Sequence, residues 1–228
     1  MNGCGFQVPD ATWEEVCRLA ARLGADPGYP YPWEGLEAAL GRAGRRLPLI
    51  GYGSLMDPGS AARTIRPGAE RRAVVAFGAR RVFNYAMPYA VLTRLGWATD
   101  TSARAALNVY PTGNPADVLN GVRIEIPEAD IPALRAREQG YDLRPLACLD
   151  WDEPAGRPAV GYVLCAPDNP PDGSQRTDDA LTPQPDYARL CRDGAAGFGA
   201  AFEAFYLATT WLADRRTTAA SWEAAGGL

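Results

Sequence analysis

The chain contains neither histidine nor lysine, and all 23 of its basic residues are arginine. Without histidine it cannot form a Ser-His-Asp triad, a Cys-His pair or an H-E-x-x-H zinc site. Without lysine it has no Walker lysine, no Schiff-base lysine and no kinase β3 lysine. Arginine stays protonated and is a poor general base. Proton transfer is therefore left to Asp, Glu, Tyr, Cys or bound water.

Cysteine pairs and long apolar runs are also missing. The five cysteines are odd in number, lie far apart and include no C-x-x-C pair, which argues against a disulfide scaffold or a zinc knuckle. No run of 18 uncharged apolar residues occurs, and the N-terminus has no basic start followed by an apolar stretch. The net charge of −4 and the scattered arginines give no reason to expect nucleic-acid binding. We expect a cytoplasmic protein with reduced thiols, no membrane association and no nucleic-acid partner.

The first 46 residues are predicted to be helical and to precede the main domain. Residues 12–24 show capping-box spacing that begins at Thr12, followed by apolar residues along one helical face. A second short helix is predicted over residues 33–40. With 228 residues, 47% of them hydrophobic, the chain can build one large domain with a substantial core. We therefore expect a helical extension, residues 1–46, docked on a domain formed by residues 47–228.

The main domain is predicted to begin with strands. Short segments rich in β-forming or apolar residues alternate with Gly, Pro and Asn. They are Leu47–Gly51, Ala73–Phe77, Arg81–Tyr85, Ala105–Tyr110, Gly121–Ile126, Leu143–Leu149 and Pro158–Ala166. One helix is predicted from Pro127 to Glu138 or Gln139, and two more surround a glycine-punctuated joint near Gly197, with a frayed tail after Arg216. This order predicts an α+β fold with a mixed, partly barrel-like sheet of about six or seven strands and flanking helices.

The segment Leu49–Met56 is predicted to be a strand that runs into a glycine-bracketed turn. Gly51 and Gly53 allow the main chain to approach a ligand closely and to adopt positive φ, so that several N–H groups converge on one anion. A dinucleotide-binding fingerprint would need a small residue at the position of Met56 and a βαβ unit, and both are missing. The alternative is a structural turn in which Ser54 caps the next helical turn.

Glu138 is the candidate general acid/base. It is predicted to lie in the last turn of a helix, where the helix dipole disfavours negative charge, so partial burial would raise its pKa. Arg135, one turn back, is placed to pair with it and lower that pKa. The alternative is an exposed glutamate at a helix end. Tyr141 follows, either with its hydroxyl in the same cleft or as an ordinary core residue.

Two further segments leave their roles open. Arg80 and Arg81 either supply a cation for a substrate carboxylate or form a solvated pair. The polar, Pro-rich and Asp-rich segment Asn169–Pro185 is either a cover over a site or a plain surface loop.

Four short motifs, taken in order over residues 47–214, resemble the γ-glutamylcyclotransferase superfamily. They are the turn Tyr52-Gly53-Ser54-Leu55, the helix end Glu138-Gln139-Gly140-Tyr141, the strand Ala159-Val160-Gly161-Tyr162-Val163, and a helix pair from Tyr187-Ala188-Arg189-Leu190 to Gly194-Ala195-Ala196-Gly197-Phe198. The N-terminal extension is not part of the minimal family fold. The sequence Ser54-Leu55-Met56 is closer to the branch that degrades glutathione, although Asp57 replaces an aromatic residue common there.

The resemblance implies the γ-glutamylcyclotransferase-like fold and a cofactor-free, metal-free reaction of the lyase or acyltransferase class. The α-amine of a small γ-glutamyl peptide or amine attacks its own γ-carbonyl, releasing 5-oxoproline and a free amine. Glu138 is implied as the proton shuttle. Substrate binding is implied for Tyr52, the main chain of Gly53, Ser54 and Leu55, and Tyr141. The protein is expected to be a monomer or homodimer.

Two alternatives remain open at this point. The same fold can serve as a catalytically silent binding or regulatory module, with the N-terminal helices over the mouth of the cleft. An enzyme of this fold can also act on a γ-glutamylated metabolite or an ε-lysyl isopeptide rather than on glutathione. A Glu138 side chain that faces an open cavity beside the Tyr52–Leu55 turn would favour an enzyme, and a solvent-facing Glu138 would favour the module.

Overall fold

The structure, a computed structural model, describes residues 6–24, 33, 36, 40, 46–97, 102–166 and 176–227. Its strands are β1 (Arg46–Gly51), β2 (Arg71–Phe77), β3 (Ala79–Ala86), β4 (Ala103–Pro111), β5 (Val118–Pro127), β6 (Asp142–Asp150), β7 (Ala159–Cys165), β8 (Thr182–Pro183) and β9 (Thr210–Leu212). Its helices are α1 (Asp10–Gly24), α2 (Pro58–Ala61), α3 (Tyr89–Leu95), α4 (Ile131–Arg137), α5 (Pro185–Ala196), α6 (Ala200–Thr209) and α7 (Ala219–Ala224). Single 3-10 turns occupy Ser54–Met56 and Glu128–Asp130.

Five strands form a closed barrel in the order β1-β5-β2-β6-β7. All of its pairs are antiparallel except β1 with β7, which meet in parallel where Leu49 faces Tyr162 and so close the ring. A second sheet has the order β8-β4-β3-β9. The barrel strands bury a continuous apolar core that includes Leu47, Val122 and Val163, each with no exposed surface. The predicted α+β class and barrel-like sheet are confirmed.

All seven predicted strands are present, with ends that differ by a few residues. Strands β8 and β9 and helix α3 were not predicted. Strand β9 follows helix α6 without a break, and its apolar residues continue the amphipathic pattern of that helix, so only its parallel pairing with Arg81–Phe83 of β3 reveals it.

The chain after Arg216 does not fray. Thr218 accepts a hydrogen bond from the N–H of Ser221 at 3.2 Å and so caps helix α7, and Trp211 forms a bridge to Thr218. Arg192 of α5 also reaches Glu223 of this helix at 3.7 Å. The expectation of a frayed tail was therefore wrong, because a local cap and a long-range ion pair hold it.

The described part of the N-terminal extension packs on the barrel. Helix α1 begins at Asp10 rather than at Thr12, which is buried inside the helix, and Val16 packs in a cluster with Phe77 and Phe205. Trp33, Leu36 and Leu40 are helical and buried; the rest of the predicted 33–40 helix lies outside the described residues. The domain boundary at residue 46 stays a prediction.

The predicted loop 169–185 lies partly outside the described residues. From residue 176 onward its main chain follows strand β3, since Thr177 forms a bridge to Tyr85, and β8 then pairs with β4. Its possible role as a cover stays a prediction. No helix in the described part of the chain is long and apolar enough to cross a bilayer.

Candidate active site

The predicted turn leaves the end of β1 and winds into the 3-10 turn Ser54–Met56, where the Met56 N–H donates to the Gly53 carbonyl at 2.9 Å. Neither Gly51 nor Gly53 has positive φ, so that part of the prediction was wrong. Both positions require glycine because neighbouring atoms lie too close to the main chain for a Cβ. A Cβ on Gly51 would lie 2.6 Å from Leu55 Cβ, and one on Gly53 would lie 2.7 Å from the Tyr187 hydroxyl.

Ser54 does not cap the following helix. Asp57 fills that role, because its Oδ1 accepts from the Ser60 N–H at 2.6 Å at the start of α2. The Ser54 hydroxyl instead accepts from Arg137 Nη2 at 3.2 Å. The alternative interpretation of Ser54 as a helix cap was therefore wrong, and the side chain joins the turn to the end of helix α4.

One open cleft brings the predicted site residues together. Its cavity volume is about 40 Å³, and the cleft is partly open to solvent. Its walls come from the turn, from the end of α4, from the start of β6 and from α5. The lining includes all six predicted residues, Tyr52, Gly53, Ser54, Leu55, Glu138 and Tyr141, together with Ile50, Gly51, Leu107, Leu164 and Tyr187.

Glu138 caps the C-terminal end of α4, and Gly140, with φ of +95°, then turns the chain into β6. The Glu138 side chain is 15% exposed and lines the cleft. Burial raises the pKa of this carboxyl, and Arg137 opposes the shift through its charge and a contact of 3.0 Å from Nε to Oε1. The spacing in the sequence pointed to Arg135 as the partner, but the ion pair forms with Arg137.

Arg137 connects the candidate acid/base to the turn. Its Nη1 donates to Ser60 O at 2.7 Å and to Thr64 Oγ1 at 2.9 Å. Its Nη2 donates to Ser54 Oγ and, at 3.0 Å, to Ser60 Oγ. Sequence reasoning missed this residue. The only local signal was a cation in the last helical turn, which is common at helix ends for reasons of dipole alone.

Three tyrosines form the walls of the cleft. The Tyr52 hydroxyl donates to the Leu164 carbonyl, and the Tyr141 hydroxyl donates to the Leu107 carbonyl at 3.2 Å. Burial raises the pKa of both, and that of Tyr187, well above the ordinary value, so all three are neutral phenols at physiological pH. Because the Tyr141 hydroxyl already donates its proton to a main-chain carbonyl, it can only accept a hydrogen bond from a ligand. Tyr187 belongs to the fourth motif of the family resemblance, but it was not predicted as a site residue.

Arg81 lies behind the turn. Its side chain is completely buried, and Nη1 donates to the Tyr52 carbonyl at 3.1 Å. Arg80 instead forms an ion pair with Asp117 at 2.7 Å. The alternative that Arg80 and Arg81 form a solvated pair was therefore wrong for Arg81. The alternative that Arg81 binds a substrate carboxylate directly was also wrong, because its side chain does not line the cleft.

Comparison with known proteins gives a structural match. A solved γ-glutamyl cyclotransferase is similar to this chain with a TM-score of 0.52 and 13% identity, over 72% of this chain and 88% of that protein. The chain has the γ-glutamyl cyclotransferase fold. At this identity the likeness shows the fold alone.

Two looser structural matches have TM-scores too low to support an argument. One is an uncharacterized human protein, with a TM-score of 0.49 and 14% identity over 68% of this chain and 81% of that one. The other is a yeast γ-glutamyl cyclotransferase specific to glutathione, with a TM-score of 0.33 and 15% identity over 72% and 86%. No family model matches the chain, and no curated protein matches its sequence significantly.

Proposed function

We propose that this protein is a cofactor-free γ-glutamyl cyclotransferase that releases 5-oxoproline and a free amine from a γ-glutamyl amide. The observation that carries the proposal is the position of Glu138. A largely buried carboxyl with a raised pKa lines the same cleft as the main chain of Gly53, Ser54 and Leu55. A proton carrier thus stands beside a group of N–H donors, which is what an acyl transfer without histidine requires.

The reaction needs one proton carrier and one oxyanion site. Glu138, ionised, removes a proton from the substrate α-ammonium. The freed amine attacks the γ-carbonyl carbon, so that a C–N bond forms and the carbonyl oxygen becomes an oxyanion. Glu138 then gives its proton to the amide nitrogen, and the original C–N bond breaks as the oxyanion returns to a carbonyl. Glu138 passes the second proton of the attacking nitrogen to the leaving amine, which departs as an ammonium ion. Atoms and charge balance without water or any second reactant.

The turn is suited to the anionic part of this reaction. The first N–H groups of a helical turn have no acceptor within that turn, so those of Ser54 and Leu55 can serve a ligand. They would bind the substrate α-carboxylate or the oxyanion, in the manner of other oxyanion holes. Holding the glutamyl group folded converts the attack into an oriented intramolecular step, which is worth roughly 7–11 kcal/mol in favourable cases.

The raised pKa of Glu138 suits a group that must both accept and donate a proton near neutral pH. Arg137 limits the shift, because its charge favours the ionised form that begins the cycle. The three neutral tyrosines add no charge of their own to the cleft. Tyr52 and Tyr141 would therefore shape the pocket around the glutamyl chain.

A catalytically silent module of the same fold is the second candidate. It would be favoured by a filled cleft or by a Glu138 that faces solvent. The 15% exposure of Glu138 and the open cleft beside the turn support the enzyme instead.

The test is a panel of glutathione, γ-glutamyl amino acids and a γ-glutamyl-ε-lysine isopeptide, each incubated with purified protein and scored for 5-oxoproline. We expect turnover of at least one compound, with Glu138→Gln inactive and folded. Turnover by Glu138→Gln at the rate of the unmodified enzyme would remove Glu138 from the mechanism. The Ser54-Leu55-Met56 sequence makes glutathione the first compound to test.

A further inference from the structure

Arg81 is a buried cation without a buried anion. Within the described residues no carboxylate lies within ion-pair distance of it, and its side chain is 0% exposed. Its guanidinium instead donates to uncharged oxygens. They are Thr210 Oγ1 at 2.8 Å, Tyr52 O at 3.1 Å, Asn120 O at 2.7 Å, Asn120 Oδ1 at 3.0 Å, Tyr206 O at 3.1 Å and Thr209 Oγ1 at 3.4 Å.

Such an arrangement is unusual because isolated buried charges are costly, and proteins normally pair them. The ring of Tyr206 lies 4.0 Å from the guanidinium carbon and adds a cation–π contact. Burial lowers the pKa of Arg81 to about 10, which leaves the side chain protonated at neutral pH. The fold therefore maintains a positive charge at this position through neutral acceptors from four separate segments.

The charge is placed on the rear of the turn. The Tyr52 carbonyl that accepts from Arg81 belongs to the same peptide group as the Gly53 N–H, and Gly53 lines the cleft. A hydrogen bond to the carbonyl of a peptide polarises that peptide and strengthens its N–H as a donor. The effect of the charge also reaches the cleft wall. Burial raises the pKa of Tyr52, and Arg81 opposes that rise.

The charges around the cleft then do not cancel. Glu138 and Arg137 form a pair that is neutral overall, and the phenols of the cleft are neutral. Arg71 donates to the Leu55 and Met56 carbonyls of the turn at 3.0 and 2.9 Å, and nearby Asp57 offsets its charge. Arg81 adds one further positive charge behind the turn, and that charge has no such partner. A ligand on the turn is therefore favoured if it carries one negative charge, and the low dielectric of the surroundings increases that preference.

We propose that Arg81 is a positioning residue whose sealed positive charge selects an anionic group for the main-chain N–H donors of Gly53, Ser54 and Leu55. This inference rests on the proposed function for the identity of the ligand. It then specifies the preferred substrates as γ-glutamyl compounds with a free α-carboxylate, and it disfavours those in which that carboxyl is an amide or an ester. It also explains how a chain without lysine provides a cation without exposing an arginine to the substrate.

The first test compares the binding of 5-oxoproline with that of its carboxamide, which has the same ring and no charge, by calorimetry. We expect the unmodified protein to bind the carboxylate at least about tenfold more tightly. In Arg81→Met the two affinities should come within about twofold of each other, and Arg81→Lys should restore part of the preference. If Arg81 had a purely structural role, Arg81→Met would weaken the binding of both ligands equally, and Arg81→Lys would not restore the preference.

Equal binding of the two ligands by the unmodified protein would overturn the inference, as would no binding of either. A full preference retained by a folded Arg81→Met would also overturn it. A failure of the proposed function can be distinguished from a failure of this inference. If the panel releases no 5-oxoproline while the carboxylate preference persists and depends on Arg81, the inference stands and the reaction does not.

A second measurement covers the case in which Arg81→Met does not fold. Salt screens exposed charges strongly and buried ones weakly. The ratio of the two affinities in the unmodified protein should change by no more than about twofold between low and high salt. A ratio that falls to one at high salt would show that an exposed cation selects the ligand, which contradicts the role of Arg81.

Discussion

Arg137 Nη2 donates to Ser54 Oγ at 3.2 Å across 83 residues of sequence. The same guanidinium holds Glu138 through Nε at 3.0 Å. One side chain therefore fixes the distance between the candidate proton carrier and the candidate anion-binding turn. The catalytic geometry in this account depends on that link.

Arg137→Met removes the link and the nearby positive charge. We expect turnover to fall roughly ten- to hundredfold, because small displacements of reacting groups are costly. Arg137 lowers the pKa of Glu138, so its loss should raise that pKa further. Since Glu138 must be ionised to accept the first proton, the acid limb of the kcat/KM profile should move to higher pH. Arg135→Met, on the same helix, is the control, and an unmoved acid limb in Arg137→Met would count against the link.

Glu138→Gln should change stability in a pH-dependent way. Burial raises the pKa of Glu138 above its ordinary value of 4.5, so the folded protein binds this proton more tightly than the unfolded chain does. The contribution of Glu138 to the free energy of unfolding of the unmodified protein therefore decreases as pH rises from about 4.5 through the raised pKa. Glutamine cannot ionise, so the stability of Glu138→Gln relative to the unmodified protein should increase over that window.

Denaturant unfolding at several pH values measures this difference. Glu128→Gln, at an exposed position just before the same helix, controls for the removal of a carboxylate as such. A difference that stays constant or shrinks with rising pH would contradict the assigned environment of Glu138.

Gly53→Ala should be destabilising because of Tyr187. The new Cβ would lie 2.7 Å from the Tyr187 hydroxyl, and overpacking of this kind typically costs about 1–3 kcal/mol. Tyr187→Phe removes the obstructing atom, so the double variant should recover a large part of the stability in a double-mutant cycle. Gly51→Ala is the matched control, since its Cβ would meet Leu55 instead. Rescue of both glycine variants by Tyr187→Phe would show that the effect is not steric.

Trp33→Phe tests whether the N-terminal extension supports the cleft. The indole Nε1 donates to the Tyr141 carbonyl at 3.0 Å, three residues beyond Glu138. Loss of this bond should cost about 1 kcal/mol of stability and lower kcat more than it changes KM. Trp13 of helix α1 packs its indole on Phe77 of β2, so Trp13→Phe serves as the control. Equal effects on kcat from both variants would assign the extension a stabilising role only.

The sequence was sufficient to predict seven of the nine strands in the described residues, because alternating apolar residues and turn-forming residues are local signals. The fold family was predicted from the resemblance of short motifs. The sequence could also identify the turn and Glu138, since short motifs mark both. Barrel closure is different. It depends on one parallel contact between Leu49 and Tyr162, which lie more than a hundred residues apart and carry no local sign of pairing.

The electrostatic surroundings of the site could not be predicted for the same reason. Arg81 follows Arg80 in a strand and has the sequence appearance of a solvated residue. Its burial is decided by acceptors on Asn120, Tyr206 and Thr210, which are brought together only by the tertiary structure. Arg137 likewise depends on Ser60 of the short helix α2 and on Thr64 in the turn after it.

The central claim is that the substrate amine, and not water, attacks the γ-carbonyl. The most direct measurement is mass spectrometry of the products formed from a reactive γ-glutamyl compound in water enriched in heavy oxygen, with Glu138→Gln as the control for spontaneous cyclisation. The account predicts unlabelled 5-oxoproline from the unmodified protein and only background from the variant. Glutamate carrying the heavy oxygen in its γ-carboxylate would show hydrolysis and would contradict the account.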